Sequence, residues 1–380
     1  MRAFVFTDKA LERYAGRFVW LSIDTENAAN AAFLKKYPIH VLPTLLVVDP
    51  KQQAVVMRYA GGATVPQLEK LLGDGEHAFR ARGNNADTLL SSADRLASQD
   101  KNAEAIAMYE KAIAAAPKNW PRLGRAAESF TMTLTMNRES DRCATVSRNL
   151  YARLKGTTSG ATVAGMGLAC ALDLDAKNPA RAGLVKILEA DTREAFDDPK
   201  VRAKMSGDDI SGLYDTLISA RVDAKDDAEA KALRVQWAAF LERQAAAAKT
   251  PEQRAVYDPH RLTAYIALNT PEKAIPMLEL SEKDFPNDYN PPARLALAYK
   301  TMGRFDDSLA ASTIALKKAY GPRKIGIYRT QADIFTAKGD KSGARTTIEE
   351  AIAYAKTLPE SQGGSRTIAA LQKKLTEMPQ

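Results

Sequence analysis

A helical pair that recurs with a period of 34 to 36 residues constrains this 380-residue chain more than any other feature. One unit spans 255–288, with Tyr265, Ala274 and Pro286. The next spans 289–324, with Ala296, Tyr299, Gly303 and Ala315. A third begins at 325, with Ala332, Phe335, Gly339, Ala344 and Ala351. Gly303 and Gly339 fall where a first helix must turn into a second, and glycine enters the left-handed conformation of such a turn at little cost. The alanines let paired helices approach closely. Each hairpin leaves an apolar face that only a neighbour can bury, so the units are expected to stack into a solenoid. An earlier copy, ADTLLSSADRLASQDKNAEAIAMYEKAIAAAPKN at 86–119, carries Ala93, Ala105, Tyr109, Ala112 and Pro117 at matching places.

These units resemble tetratricopeptide repeats. The resemblance implies a peptide-binding helical-repeat domain whose partners are proteins or peptides, and it makes Tyr109, Tyr299 and Phe335 core positions. Between the copies, helices are expected near 121–136, 141–154, 160–174, 179–190, 207–222 and 226–247, as degenerate repeats or plain helix pairs. SRTIAALQKKLTEM at 365–378 reads as a terminal capping helix.

The first 76 residues are different. Residues 8–15 read as the end of a helix, FVWLSID (18–24) as a strand rich in β-formers, and NAANAAFLKKY (27–37) as a helix. TLLVVD (44–49) and AVVMRY (54–59) read as a hairpin, with Pro50 opening its turn. VPQLEKLLG (65–73) is a short helix with Pro66 in its first turn, and GDGEHAFRARGNNAD (73–87) reads as a linker. The order is β-α-β-β-α.

Within that order YPIHVLPTLLVVD (37–49) resembles the back half of a thioredoxin active site, where tyrosine and isoleucine lead into a cis-proline followed by threonine. The resemblance covers residues 1 to about 75. It implies a cis Leu42–Pro43 bond and assigns Leu42, Pro43 and Thr44 to substrate binding. The strand and C-x-x-C that open such a site have no counterpart here, so this domain as written cannot perform dithiol chemistry. The expected fold class is α/β plus all-α: a truncated thioredoxin-like βαββα domain over 1–76, helical repeats over 84–254, and tetratricopeptide-like repeats with a capping helix over 255–380.

The two cysteines, Cys143 and Cys170, lie on the expected helices 141–154 and 160–174, nearly equidistant from a turn centred near 157. An antiparallel hairpin therefore sets them side by side. A structural disulfide is one reading, if the protein is exported. A pair of buried small apolar residues is the other. No tight C-x-x-C turn exists to lower a thiol pKa for redox work.

The remaining residues exclude more than they suggest. No apolar run approaches the ~20 residues of a membrane-spanning helix. The net charge is +8, but its excess is spread over helices with acids interleaved, which argues against a nucleic-acid stripe. His40, His77 and His260 are far apart and no metal-ligand spacing occurs, so neither metal nor cofactor is expected. His40 precedes the proline loop and reads as a surface histidine. Trp20 reads as packing.

Two functional readings follow. The main one is a bacterial thiol–disulfide oxidoreductase in a full-length form whose start lies upstream of Met1. The chain from Met1 has no reactive cysteines and no catalysis. The alternative is a non-enzymatic protein–protein interaction scaffold. Localisation divides the same way: periplasmic or exported if the start is upstream, cytoplasmic if Met1 is genuine.

Overall fold

The chain opens on a 3-10 turn at Lys9–Tyr14, whose N-cap Asp8 accepts from the Ala10 N–H at 2.8 Å. Helix α1 (Ala31–Lys36) follows, then strands β1 (Thr44–Asp49) and β2 (Ala54–Ala60). The computed structural model describes residues 1–362 and 364–378, and among these the antiparallel β1–β2 pair is the one sheet. Register runs from Thr44 opposite Ala60 to Asp49 opposite Ala54, with a bulge at Val47/Val48. Asp49 Oδ1 accepts from the N–H groups of Lys51 and Gln52 and so closes the turn.

Helix α2 (Val65–Arg80) starts with Thr64 N–H donating to Gln67 Oε1 at 2.7 Å, a reciprocal cap that satisfies an otherwise unpaired donor. Helices α3 (Ala86–Ala97), α4 (Asn102–Ala114), α5 (Leu123–Met136), α6 (Ser140–Leu154), α7 (Thr158–Leu172) and α8 (Arg181–Asp197) follow. After a one-turn α9 (Pro199–Arg202) come α10 (Gly207–Asp223), α11 (Asp227–Ala246) and α12 (Pro251–Ala255). The series closes with α13 (Asp258–Ala267), α14 (Ala274–Asp284), α15 (Asn290–Thr301), α16 (Phe305–Lys318), α17 (Arg323–Ala337), α18 (Lys341–Ala355) and α19 (Gly364–Glu377).

Six of the helical hairpins close with the same turn. Asp100, Arg138, Lys225, Asn269, Gly303 and Gly339 each have positive φ, between 57° and 78°. The residue after each donates its N–H to the carbonyl five residues back: Lys101 to Leu96, Glu139 to Leu134, Asp226 to Arg221, Thr270 to Tyr265, Arg304 to Tyr299 and Asp340 to Phe335, at 2.8–3.1 Å. That left-handed cap satisfies the last carbonyls of the first helix and reverses the chain. The stretch 120–250 thus holds two hairpins, α5/α6 and α10/α11, with the turn of the regular units. Alanines line the hairpin seams: Ala93, Ala105 and Ala112, then Ala332, Ala344 and Ala351, are fully buried. Leu371 of α19 joins Ile325, Ile348 and Ile352 in one apolar cluster.

The chain divides into two units. The first comprises Met1–Phe18 and Pro38–Trp237, and the second comprises Val19–Tyr37 and Ala238 onward. In the first, Val5, Tyr14, Met57, Leu68, Leu71 and Leu72 form the core of the N-terminal module.

Two expectations from the sequence are corrected. Residues 18–24 form no strand. Phe18 packs in the first unit's core while Val19 onward belongs to the second. The segment therefore runs without a neighbouring strand, leaving Val19 89% and Leu21 75% exposed, and the alternation of FVWLSID has no ladder to join. The β-α-β-β-α order accordingly lacks its first strand. The second correction is the linker at 73–87, of which 73–80 is helix. Gly75 lies so close to β1 that a Cβ there would meet Val47 Cγ2 at 2.7 Å. Asp74 is held by arginines of α5 and the adjoining loop. Packing and ion pairing carry α2 through two glycines that propensity alone would count as breaks.

Candidate functional site

The proline loop of the first unit lies at the surface. The Leu42–Pro43 bond is cis, and both residues are exposed, Leu42 at 55%. Pro43 carbonyl accepts from Gly61 N–H at 2.9 Å, and Thr44 Oγ1 donates to Val41 carbonyl at 2.6 Å. These bonds tie the loop to the end of β2 and leave the Leu42 side chain projecting. His40 Nε2 lies 2.8 Å from Asp100 Oδ1, which places that histidine in an exposed surface pair.

Cys143 and Cys170 face one another across the α6–α7 hairpin, their Cα atoms 6.0 Å apart and their sulfurs bonded. Both are buried, with Thr135 Oγ1 of α5 beside the pair. A group so enclosed is shut off from external thiols. Among the described residues no cluster of His, Cys, Asp and Glu could hold a metal ion, and no helix is long and apolar enough to cross a membrane.

A buried polar network binds α2 to the first repeat. Arg125 of α5 donates through Nε to Asp74 Oδ2 at 3.2 Å and through Nη1 to Asp94 Oδ2 at 2.6 Å, while Tyr109 Oη donates to Asp94 Oδ1 at 2.7 Å. Burial works against the Arg125 charge, but Asp94 and Asp74 hold its pKa above the ordinary value. Each charge is paired, as burial requires.

In the second unit the repeats hold a piece of their own chain. Residues 24–31 lie against the loops that join successive hairpins: Tyr289 between α14 and α15, Tyr320–Pro322 between α16 and α17, and Ser361–Gln362 between α18 and α19. Tyr289 Oη donates to both Glu26 carboxylate oxygens, at 3.0 and 3.2 Å, and Arg323 Nε donates to Glu26 Oε1 at 3.1 Å. Tyr320 Oη donates to Asp24 Oδ2 at 2.8 Å. Gln362 Nε2 donates to the Thr25 carbonyl at 3.0 Å, and Ser361 Oγ donates to the Ala31 carbonyl at 3.2 Å. Gly321, at φ +58°, comes so near that a Cβ would lie 2.2 Å from the Glu26 carbonyl oxygen. The segment is shaped from within as well: Asp24 Oδ1 accepts from Glu26 N–H, and Asn30 Nδ2 donates to Asp24 carbonyl.

Electrostatics keep this seat in donor form. The hydrogen bond to Asp24 pushes the Tyr320 hydroxyl pKa up, and burial followed by the Glu26 charge raises that of Tyr289. Burial also raises the Glu26 carboxyl, against the opposing pull of the Tyr289 hydroxyl and Arg323.

None of these seat residues was marked by residue-type reasoning. One signal was present: Tyr-x-Pro occurs at 289–291 and again at 320–322, just ahead of α15 and α17.

No family model and no curated protein matches this sequence. Solved structures do. A chain of the APC/C hetero-tetramer Cut9–Hcn1 is similar over 82% of this chain, at 13% identity and a TM-score of 0.37; this chain spans 54% of it, about half its length. The assembly chaperone of RpL4, Acl4, matches over 77% of this chain and 98% of its own, at 14% identity and a TM-score of 0.37. The TPR2AB-domain:pHSP90 complex of yeast Sti1 matches over the same shares at 14% identity and a TM-score of 0.28. With TM-scores of 0.37 or less these are loose superpositions. The chain's own architecture defines a helical-hairpin repeat protein with a small N-terminal module of a 3-10 turn, the β1–β2 hairpin and α2.

Proposed function

We propose that this protein is a non-enzymatic interaction scaffold whose helical repeats bind a short stretch of polypeptide. One observation carries the reading: loops of three successive hairpins grip residues 24–31 through the carbonyls of Thr25 and Ala31 as well as through side chains. The gripped segment is a turn at 25–26 followed by a 3-10 turn at Ala28–Asn30, and backbone carbonyls are common to any segment, so a surface that reads them is suited to polypeptide. The thiol–disulfide oxidoreductase reading of a longer form rests on the resemblance of Tyr37–Asp49 alone, and the two cysteines of this chain are enclosed in one bond within α6 and α7. Leu42, Pro43 and Thr44 keep a proposed role as a surface loop for contacts with protein partners.

The test is cross-linking mass spectrometry with a library of short peptides bearing a photoreactive group, on the full chain carrying Asp24→Ala and Glu26→Ala. Cross-links should concentrate at 285–290, 319–323 and 358–362. Cross-links scattered over the surface, or none, would overturn the scaffold reading.

A further inference from the structure

We infer that the loops of the last three hairpins form a seat for an acidic turn segment of a partner protein, and that residues 24–31, themselves a turn at 25–26 followed by a 3-10 turn at Ala28–Asn30, are a resident placeholder which that segment displaces. This rests on the scaffold reading above and adds to it the chemistry of the partner and the competition at the seat.

The first argument is the sign of the contacts. The five groups that the loops offer to residues 24–31, from Tyr289, Tyr320, Arg323, Ser361 and Gln362, are all acting as donors. What they meet is all acceptor: two carboxylates and two backbone carbonyls. A carboxylate has acceptor sites only, whereas an amide in its place would turn N–H groups toward other donors. The seat therefore selects aspartate or glutamate, two residues apart as Asp24 and Glu26 are, on a chain whose carbonyls face the loops. A lysine or arginine in place of Glu26 would meet the like charge of Arg323, and in place of Asp24 would find one neutral hydroxyl, with no carboxylate in that contact to pair its charge.

The second argument is geometric. Gly321 admits backbone at a distance no side chain would allow, so the seat is built for the close approach of a main chain rather than for a side-chain tip. The edge-to-face pair of Tyr289 and Tyr320, 6.5 Å between centroids, sets the two hydroxyls side by side. Two acids on one turn of chain, as Asp24 and Glu26 are, can then be met at once.

The third argument concerns exchange. Arg323 is 62% exposed, and a charge pair of that exposure contributes little. Burial of Glu26 is not fully offset by its partners. A resident held on these terms can leave. A partner segment that brings further contacts outside the seat would take its place, at an apparent affinity lowered by the resident's occupancy.

The experiment uses fluorescence anisotropy with the labelled peptide SIDTENAANAA, which is residues 22–32, and its amide counterpart SINTQNAANAA. The proteins are the full wild-type chain, Asp24→Ala/Glu26→Ala, Asp24→Asn/Glu26→Gln, and the last of these with Tyr289→Phe/Tyr320→Phe added. The acidic peptide should bind the first variant at least tenfold more tightly than wild type, because the resident is disabled. The amide peptide should bind that variant at least tenfold more weakly than the acidic one. In the Asp24→Asn/Glu26→Gln background, where the resident is disabled at little steric cost, the added Tyr289→Phe/Tyr320→Phe keeps both rings and should cost the acidic peptide at least fivefold, which tests the seat even if the alanine variant fails to fold. Equal binding of the acidic and amide peptides would overturn the acidic seat and leave the scaffold standing. Equal binding to wild type and to a folded alanine variant would overturn displacement. Binding of neither peptide to any folded variant would overturn the seat and the scaffold together.

Discussion

Arg125 Nη1 lies 2.6 Å from Asp94 Oδ2, and both side chains are buried. With Asp74 and Tyr109 they lock α2 of the N-terminal module onto the first repeat. Arg125→Ala would leave two buried carboxylates without their shared cation. A broken buried pair of this kind costs about 3–5 kcal/mol. Urea unfolding followed by probes in the first unit should show a loss of that size. A loss below about 1 kcal/mol would mean that water already reaches Asp94 and Asp74.

The Cys143–Cys170 bond closes a loop of sequence separation 27. A cross-link of that span constrains the unfolded chain by about 3–4 kcal/mol in the loop-entropy account. Peptide mapping of oxidised protein without reductant should recover one linked pair. Cys143→Ala/Cys170→Ala should lower stability by about that amount under oxidising conditions, and by much less when the parent is reduced. Recovery of two free thiols from protein purified out of an oxidising compartment would count against the bond.

Glycine 321 and glycine 339 offer a matched pair. Both have positive φ, but only at 321 would a Cβ strike backbone, the Glu26 carbonyl; at 339 nothing lies within 4 Å. Gly339→Ala should cost about 1 kcal/mol, the penalty of the left-handed region. Gly321→Ala adds a collision and should cost about 2–4 kcal/mol or expel residues 24–31 from the seat. Hydrogen exchange separates these results: amides of 24–31 should lose protection in Gly321→Ala and keep it in Gly339→Ala.

The same comparison shows what the sequence made legible. Gly303 and Gly339 announced their turns because glycine is the cheap residue there. Asp100, Arg138, Lys225 and Asn269 make the same turn with side chains that bear a cost of roughly 1 kcal/mol each, repaid by packing of the helices they join. For that reason 120–250 read as irregular although it holds the same hairpin. Helix α2 was read short because Gly73 and Gly75 outweighed an ion pair to residues fifty positions away. FVWLSID has the alternation of a strand but forms none, and the chain passes from the first unit to the second between Phe18 and Val19. The seat was out of reach for a related reason: Glu26 and Tyr289 are 263 positions apart, and nothing local in either marks the other. The cis Leu42–Pro43 bond could be read from the resemblance of residues 37–49 to a thioredoxin motif, and the paired cysteines from the symmetry of a hairpin, which fixes them locally.

The last expectation is a pH dependence at the seat. The groups facing Glu26 are Tyr289 and Arg323 from the hairpin loops and Asp24 on its own segment. Burial raises the docked carboxyl above its ordinary value, ahead of the lowering pull of Tyr289 and Arg323, and Asp24 adds to the rise. Docking of residues 24–31 is therefore linked to proton uptake at Glu26. The sign follows: this contribution is complete below the ordinary glutamate range and is lost as pH rises through the docked pKa. Protection of amides 24–31, corrected for intrinsic exchange, should rise as pH is lowered through the raised pKa of the docked carboxyl toward the ordinary glutamate range. Glu26→Gln, which cannot titrate, should flatten that rise. A wild-type profile that falls with acidification would show that the Arg323 attraction outweighs burial, and the resident segment would then be held mainly by charge.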